Sequence, residues 1–134
     1  MKRKIKIMVV DDHSVFRKSI IMLINYIEDC EVIADFESAN LYFNQMNTLK
    51  PDIIFMDIRM PGLDGLMATK MISSQDEGIK VIGISALGDW EYMNKMKQAG
   101  AKGYIEKFDD PACIENAIKI VSEGGFYFPV LNEK

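Results

Sequence analysis

Short apolar runs alternate with segments of helical periodicity five times along this chain, with no internal repeat and no low-complexity stretch. Ile5–Val10, Glu31–Phe36, Asp52–Met56, Val81–Ile84 and Gly103–Glu106 each have the length and side chains of a strand. After the first, Phe16, Ile20, Leu23, Ile24 and Ile27 recur at helical spacing, with Ser14 the expected N-cap. Ser38 is placed to cap a second helix carrying Leu41, Tyr42, Met46 and Leu49, which Pro51 stops. Pro61-Gly62-Leu63-Asp64-Gly65 is a turn signal, and Leu66, Met67, Lys70 and Met71 predict a third helix beyond it. A fourth helix is expected from about Asp89 through Met93 and Met96 to Gly100, whose freedom at positive φ suits a C-terminal cap. Asp110 and Pro111 read as N-cap and first position of a fifth helix with the buried stripe Ile114, Ala117, Ile118 and Val121. Gly124-Gly125 ends it, and Phe126–Pro129 begins either a closing segment or a linker.

Strands alternating with helices of this length imply βαβ units and a parallel sheet. The first, third and fourth runs are nearly continuous in apolar residues, as helices covering both faces require. Right-handed crossovers leave few arrangements. The expectation is a single doubly wound α/β domain, a five-stranded parallel sheet of order 2-1-3-4-5 with helices on both faces. It should occupy residues 1–124, with 125–134 a C-terminal tail or the start of a linker.

The 134 residues suffice for one domain with a real core, and 49% hydrophobic against 27% charged residues is an ordinary globular balance. A net charge of -4 argues against direct nucleic-acid contact by this segment. No apolar stretch approaches spanning length and no signal peptide is visible, so no membrane partner and a cytoplasmic location are expected. Cys30 and Cys113 lack metal-ligand spacing and read as reduced thiols, with a disulfide between them the minor alternative.

The chemistry sits where the apolar runs stop. Asp11-Asp12 follow the first run, Asp57 the third, Ser85 the fourth and Lys107 the fifth. In a parallel sheet these carboxyl ends share one edge, and adjacent strands are only about 4.8 Å apart. Three carboxylates in one shallow pocket repel unless a cation joins them, and Mg²⁺ with retained waters suits so sparse an oxygen set. Lys107 and the Ser85 hydroxyl then favour an anion with oxygens, a phosphoryl group. Asp57, between the metal acids and the serine, is placed to attack phosphorus and form an acyl phosphate.

This arrangement resembles the CheY-like receiver domain of two-component response regulators, across essentially the whole flavodoxin-like chain. The residues that carry the likeness are Val10-Asp11-Asp12, Met56–Gly65, Ser85-Ala86 and Ala99–Tyr104 running into Lys107. Asp-Asp-His-Ser near the start and Ala-Gly-Ala-Lys-Gly-Tyr later look most like the NarL/FixJ subgroup. The resemblance implies that Asp57 takes a phosphoryl group from a sensor histidine kinase, a phosphotransfer protein or a small phosphodonor. It implies Mg²⁺ bound by Asp12, Asp57 and the Arg59 backbone carbonyl, with Asp11 acting through water, and Ser85 and Tyr104 as a switch pair. It implies no classical enzyme, but a phosphoacceptor that assists its own chemistry and alters a surface around the fourth helix, fifth strand and fifth helix. In that subgroup a receiver usually precedes a helix-turn-helix DNA-binding domain, and a phosphorylation-dependent homodimer is compatible with it. A stand-alone receiver working by protein contacts or as a phosphorelay shuttle is the alternative.

Two positions depart from the commonest receiver pattern: Phe108 stands where proline is frequent, and Ser85 where threonine is. Arg59 and Leu87 occupy places that tune phosphoryl loss in the family. An aspartyl phosphatase of the haloacid-dehalogenase kind would want a second acid two residues after its nucleophile, where this chain has Arg59. A flavin-binding relative would need a hydroxyl- or glycine-rich phosphate loop where Asp11-Asp12 stand. His13 is better explained by a helix entry than as a phosphate carrier. Trp90 is a candidate partner anchor and a natural fluorescence reporter. The ten methionines are expected chiefly in packing.

Overall fold

The computed structural model of the chain describes residues 3–45, 49–86 and 90–129. Five strands, β1 (Ile5–Val10), β2 (Cys30–Phe36), β3 (Ile53–Asp57), β4 (Lys80–Ser85) and β5 (Gly103–Glu106), form one parallel sheet in the order β2-β1-β3-β4-β5. Five helices alternate with them: α1 (Ser14–Tyr26), α2 (Ala39–Gln45), α3 (Gly65–Gln75), α4 (Met93–Ala99) and α5 (Pro111–Ser122). The doubly wound architecture and its strand order are those anticipated from the hydrophobic pattern. Gly103 also bridges in parallel to Tyr127, and the Tyr104 amide donates to the Tyr127 carbonyl at 2.9 Å, so the segment after Gly125 lies along β5.

The sheet divides the core into two layers. Under α1 and α5 lie Ile7, Val9, Phe16, Ile20, Phe55, Ile82, Ile105 and Ile118; under α2, α3 and α4 lie Met8, Tyr42, Met56, Ile72, Met96 and Tyr104. Successive residues alternate between layers because a strand's side chains point to opposite faces.

Several local expectations hold. Ser38 Oγ accepts the Leu41 amide at 3.2 Å, Asp110 caps α5 with Pro111 in its first turn, and Gly100 ends α4 at φ 111°. Others do not. Ser14 is the first residue of α1, and His13 takes the cap position without a side-chain hydrogen bond. Ile27 follows the end of α1 instead of lying within it. The buried face of α3 is Gly65, Ala68, Thr69 and Ile72, whereas Met67 is exposed. Glycine opens that face because α3 starts close against the backbone after β3. A short 3-10 turn, Trp90–Tyr92, leads into α4. The expected positions Met46, Leu87 and Asp89 lie outside the described residues.

Phe108 has φ 63°, in the left-handed region, and among the described residues there is no cis peptide bond. Its ring packs edge-on to Phe16 with centroids 5.3 Å apart.

Candidate phosphoryl site

The carboxyl ends of β1, β3, β4 and β5 bring the candidate residues together. Asp11 leaves β1 fully buried; its amide donates to the Phe36 carbonyl at 3.0 Å and its carboxylate accepts the His13 amide at 2.7 Å. Asp57 ends β3 at 3% exposure, while Asp12 is exposed. One carboxylate oxygen from each of Asp11, Asp12 and Asp57 falls within 4.8 Å of the other two. Lys107 reaches back from the end of β5, its Nζ 3.0 Å from Asp11 Oδ1 and 3.2 Å from Asp57 Oδ2.

Asp57 is the most perturbed of the acids. Burial first, and then the charge of Asp11, push its carboxyl from an ordinary 3.8 up to about 7. Lys107 and the Arg59 amide, which donates to Asp57 Oδ1 at 3.2 Å, pull the other way. Three acids against one ammonium leave an excess of negative charge. The buried Asp11 Oδ2 accepts no hydrogen bond, though Lys107 Nζ lies 3.0 Å away. An all-oxygen donor set with an orphaned buried oxygen fits a hard divalent cation.

Gly65 shapes the floor of the site. A Cβ there would sit 2.1 Å from the Asp57 carbonyl oxygen, so only glycine lets α3 start so near the Asp57 backbone. Asp64 caps that helix by accepting the Met67 amide at 2.9 Å. The sequence marks Gly65 as a turn residue, but the close approach appears only in three dimensions.

Ser85 is fully buried at the end of β4, one residue beyond the Ile84 that pairs with Asp57, and its Oγ donates to the Ile105 carbonyl at 3.4 Å. Tyr104 is fully buried too, with its ring inside the methionine-bearing layer. It lies opposite Gly83, where a Cβ would come within 2.9 Å of the ring. Trp90 is half-buried with its ring centroid 6.0 Å from that of Tyr104. Arg59 sends its guanidinium over the Tyr92 ring at 4.7 Å. His13 is exposed beside Phe108.

Arg17 was not singled out by sequence. Its Nη1 donates to the Asp11 carbonyl and its Nε to Asp35 Oδ2 at 2.9 Å, so it braces the turn that carries the acids.

The family model for the response regulator receiver domain matches residues 7–119. The chain belongs to that family. As a receiver domain of two-component systems it is related to transcription regulators. It is 32% identical over 126 residues to the transcriptional regulatory protein DegU of Brevibacillus brevis, covering 94% of this chain and 53% of that protein. It is 35% identical over 123 residues to the oxygen regulatory protein NreC of Staphylococcus epidermidis, covering 91% and 56% respectively. The receiver thus spans little more than half the length of these curated relatives. A solved two-component response regulator of the LuxR family from Aurantimonas superposes with a TM-score of 0.86 at 30% identity, covering 92% of this receiver and 89% of that chain. Among the described residues no helix is long and apolar enough to cross a membrane.

Proposed function

We propose that this receiver accepts a phosphoryl group on Asp57 from a histidine kinase phosphohistidine or a small phosphodonor. The observation that supports it most is the meeting of Asp57, Asp11, Asp12 and Lys107 at one sheet edge, with the Asp57 carboxyl raised towards neutrality in proton affinity. An Asp57 oxygen attacks phosphorus, the nitrogen–phosphorus bond of the donor breaks, and its electron pair leaves with the imidazole. Asp57 has to be ionised to attack. Lys107 favours that state and lies where a phosphoryl oxygen on Asp57 would find a fixed positive charge. Asp12, Asp57, Asp11 and the Arg59 carbonyl would hold Mg²⁺. When bound, that ion supplies further positive charge against the phosphoryl oxygens.

Ser85 and Tyr104 are the proposed switch pair. A hydroxyl drawn towards a new phosphoryl group would give up its bond to the Ile105 carbonyl, and β5 passes that change to Tyr104 and Trp90. The names of the relatives support transcriptional control through a DNA-binding partner domain as the output. Protein contacts by the receiver alone are the alternative, and the parent reading frame separates the two.

Incubation with acetyl phosphate and Mg²⁺ should add one phosphoryl group by intact-mass measurement, and Asp57→Asn should abolish it. Undiminished labelling of that variant would move the acceptor elsewhere.

A further inference from the structure

Arg17 lies on α1 with its side chain 15% exposed, and its two hydrogen bonds go to different elements: Asp35 of β2 and the backbone of Asp11. Asp35 is within reach only because β2 is irregular. Against β1, Ile7 pairs with Val32 but Met8 pairs with Ala34, so Ile33 is left over as a bulge. Val32 packs in the α1/α5 layer, whereas Ile33 and Ala34 both pack in the opposite one. The next residue, Asp35, therefore returns to the α1 face. An unbroken ladder would send it to the far side of the sheet, because one residue of slip exchanges the faces.

A continuous chain of contacts thus runs from the bulge through Asp35 and Arg17 to the peptide that joins the two adjacent acids. We propose that Arg17 is a positioning residue whose forked guanidinium, anchored by Asp35, holds the Asp11-Asp12 backbone so that both carboxylates converge on a divalent cation. This rests on the reading of the acid cluster as a cation site. The guanidinium donates from Nε and Nη1 to two acceptors at once, a geometry that the single ammonium of lysine does not reproduce. Residues that orient ligands in this way commonly change metal affinity by about 10–100-fold when replaced.

The test is calorimetric titration of the full chain with Mg²⁺, each variant first shown by urea unfolding to be folded at the titration temperature. Arg17→Lys and Arg17→Gln should each weaken Mg²⁺ binding by about tenfold or more. Asp35→Asn, which keeps an acceptor oxygen, should stay near the native affinity. If the native chain binds no Mg²⁺, the cation-site reading itself fails. If the native chain binds Mg²⁺ and both Arg17 variants bind it equally well, Arg17 only supports the fold and the proposal is overturned. Native affinity in Arg17→Lys beside weak binding in Arg17→Gln would mean that charge alone suffices, which also overturns it. Should Arg17→Gln not fold, Arg17→Lys decides.

Discussion

Replacing Asp57 with asparagine should stabilise the receiver in the absence of divalent cations, and only above mildly acidic pH. The carboxyl is raised from 3.8 to about 7, mainly because burial penalises its charge and secondly because Asp11 repels it. Between about pH 4 and 7 the folded chain therefore keeps a proton that the unfolded chain has released. The contribution of Asp57 to stability must fall as pH rises through that window and level off above it. Each tenfold change in proton affinity is worth about 1.4 kcal/mol, which sets a ceiling of ~4 kcal/mol on the cost at pH 8. That ceiling already includes the opposing pull of Lys107, 3.2 Å from Asp57, and relaxation of the charged site lowers the realised cost further. The net gain expected for Asp57→Asn is about 1–3 kcal/mol at pH 8, shrinking towards zero near pH 4. Urea unfolding of both chains in chelator at pH 5 and pH 8 measures it, and other titrating groups largely cancel in the difference. A variant less stable than the native chain at pH 8, or a gap of equal size at both pH values, would refute the reasoning. Adding Mg²⁺ at pH 8 should stabilise the native chain selectively and narrow the gap.

Three further outcomes follow from the same geometry. Lys107→Met leaves three acids without their ammonium, so chelated protein should lose about 1–3 kcal/mol at pH 8 by urea unfolding and label slowly with acetyl phosphate. Gly65→Ala forces a methyl against the Asp57 carbonyl, 2.1 Å from its ideal position, and should cost at least ~2 kcal/mol in the same assay. Ser85→Ala should still accept phosphate by mass measurement, while the change in Trp90 fluorescence on adding beryllofluoride and Mg²⁺ shrinks; an unchanged optical response would separate Ser85 from the switch.

The legible part of this molecule is the part governed by alternation and run length. The runs that stop before Asp11, Asp57 and Ser85 are so nearly continuous in apolar residues that their burial, and with it the sheet edge, follows from side-chain chemistry alone. What stayed hidden depends on contacts between distant segments. Ser14 looks like a cap, yet the Asp11 carboxylate takes the His13 amide and the Arg17 amide bonds to the His13 carbonyl, so the helix begins one residue earlier than a Ser14 cap would allow. Met67 outranks Ala68 and Thr69 in hydrophobicity, but the close start of α3 at Gly65 sets the helix so that Ala68, Thr69 and Ile72 face the sheet and Met67 does not. Arg17 reads as a solvated charge on an amphipathic helix. Its partner is brought round by a bulge that no local pattern announces.

The two layers of the core differ in stiffness. Among the described residues the α1/α5 side is built without methionine and is dominated by isoleucine, whose branched side chains have few rotamers, while the opposite side gathers Met8, Met56, Met60 and Met96 around Tyr104. The proposed turning of that aromatic ring would then be absorbed by pliable thioethers on one half of the molecule, with the other half as an unyielding base. Burial shields these four sulfurs from peroxide, so the exposed Met22 and Met67 should oxidise first, and sulfoxide at the buried four would report opening of that half of the core.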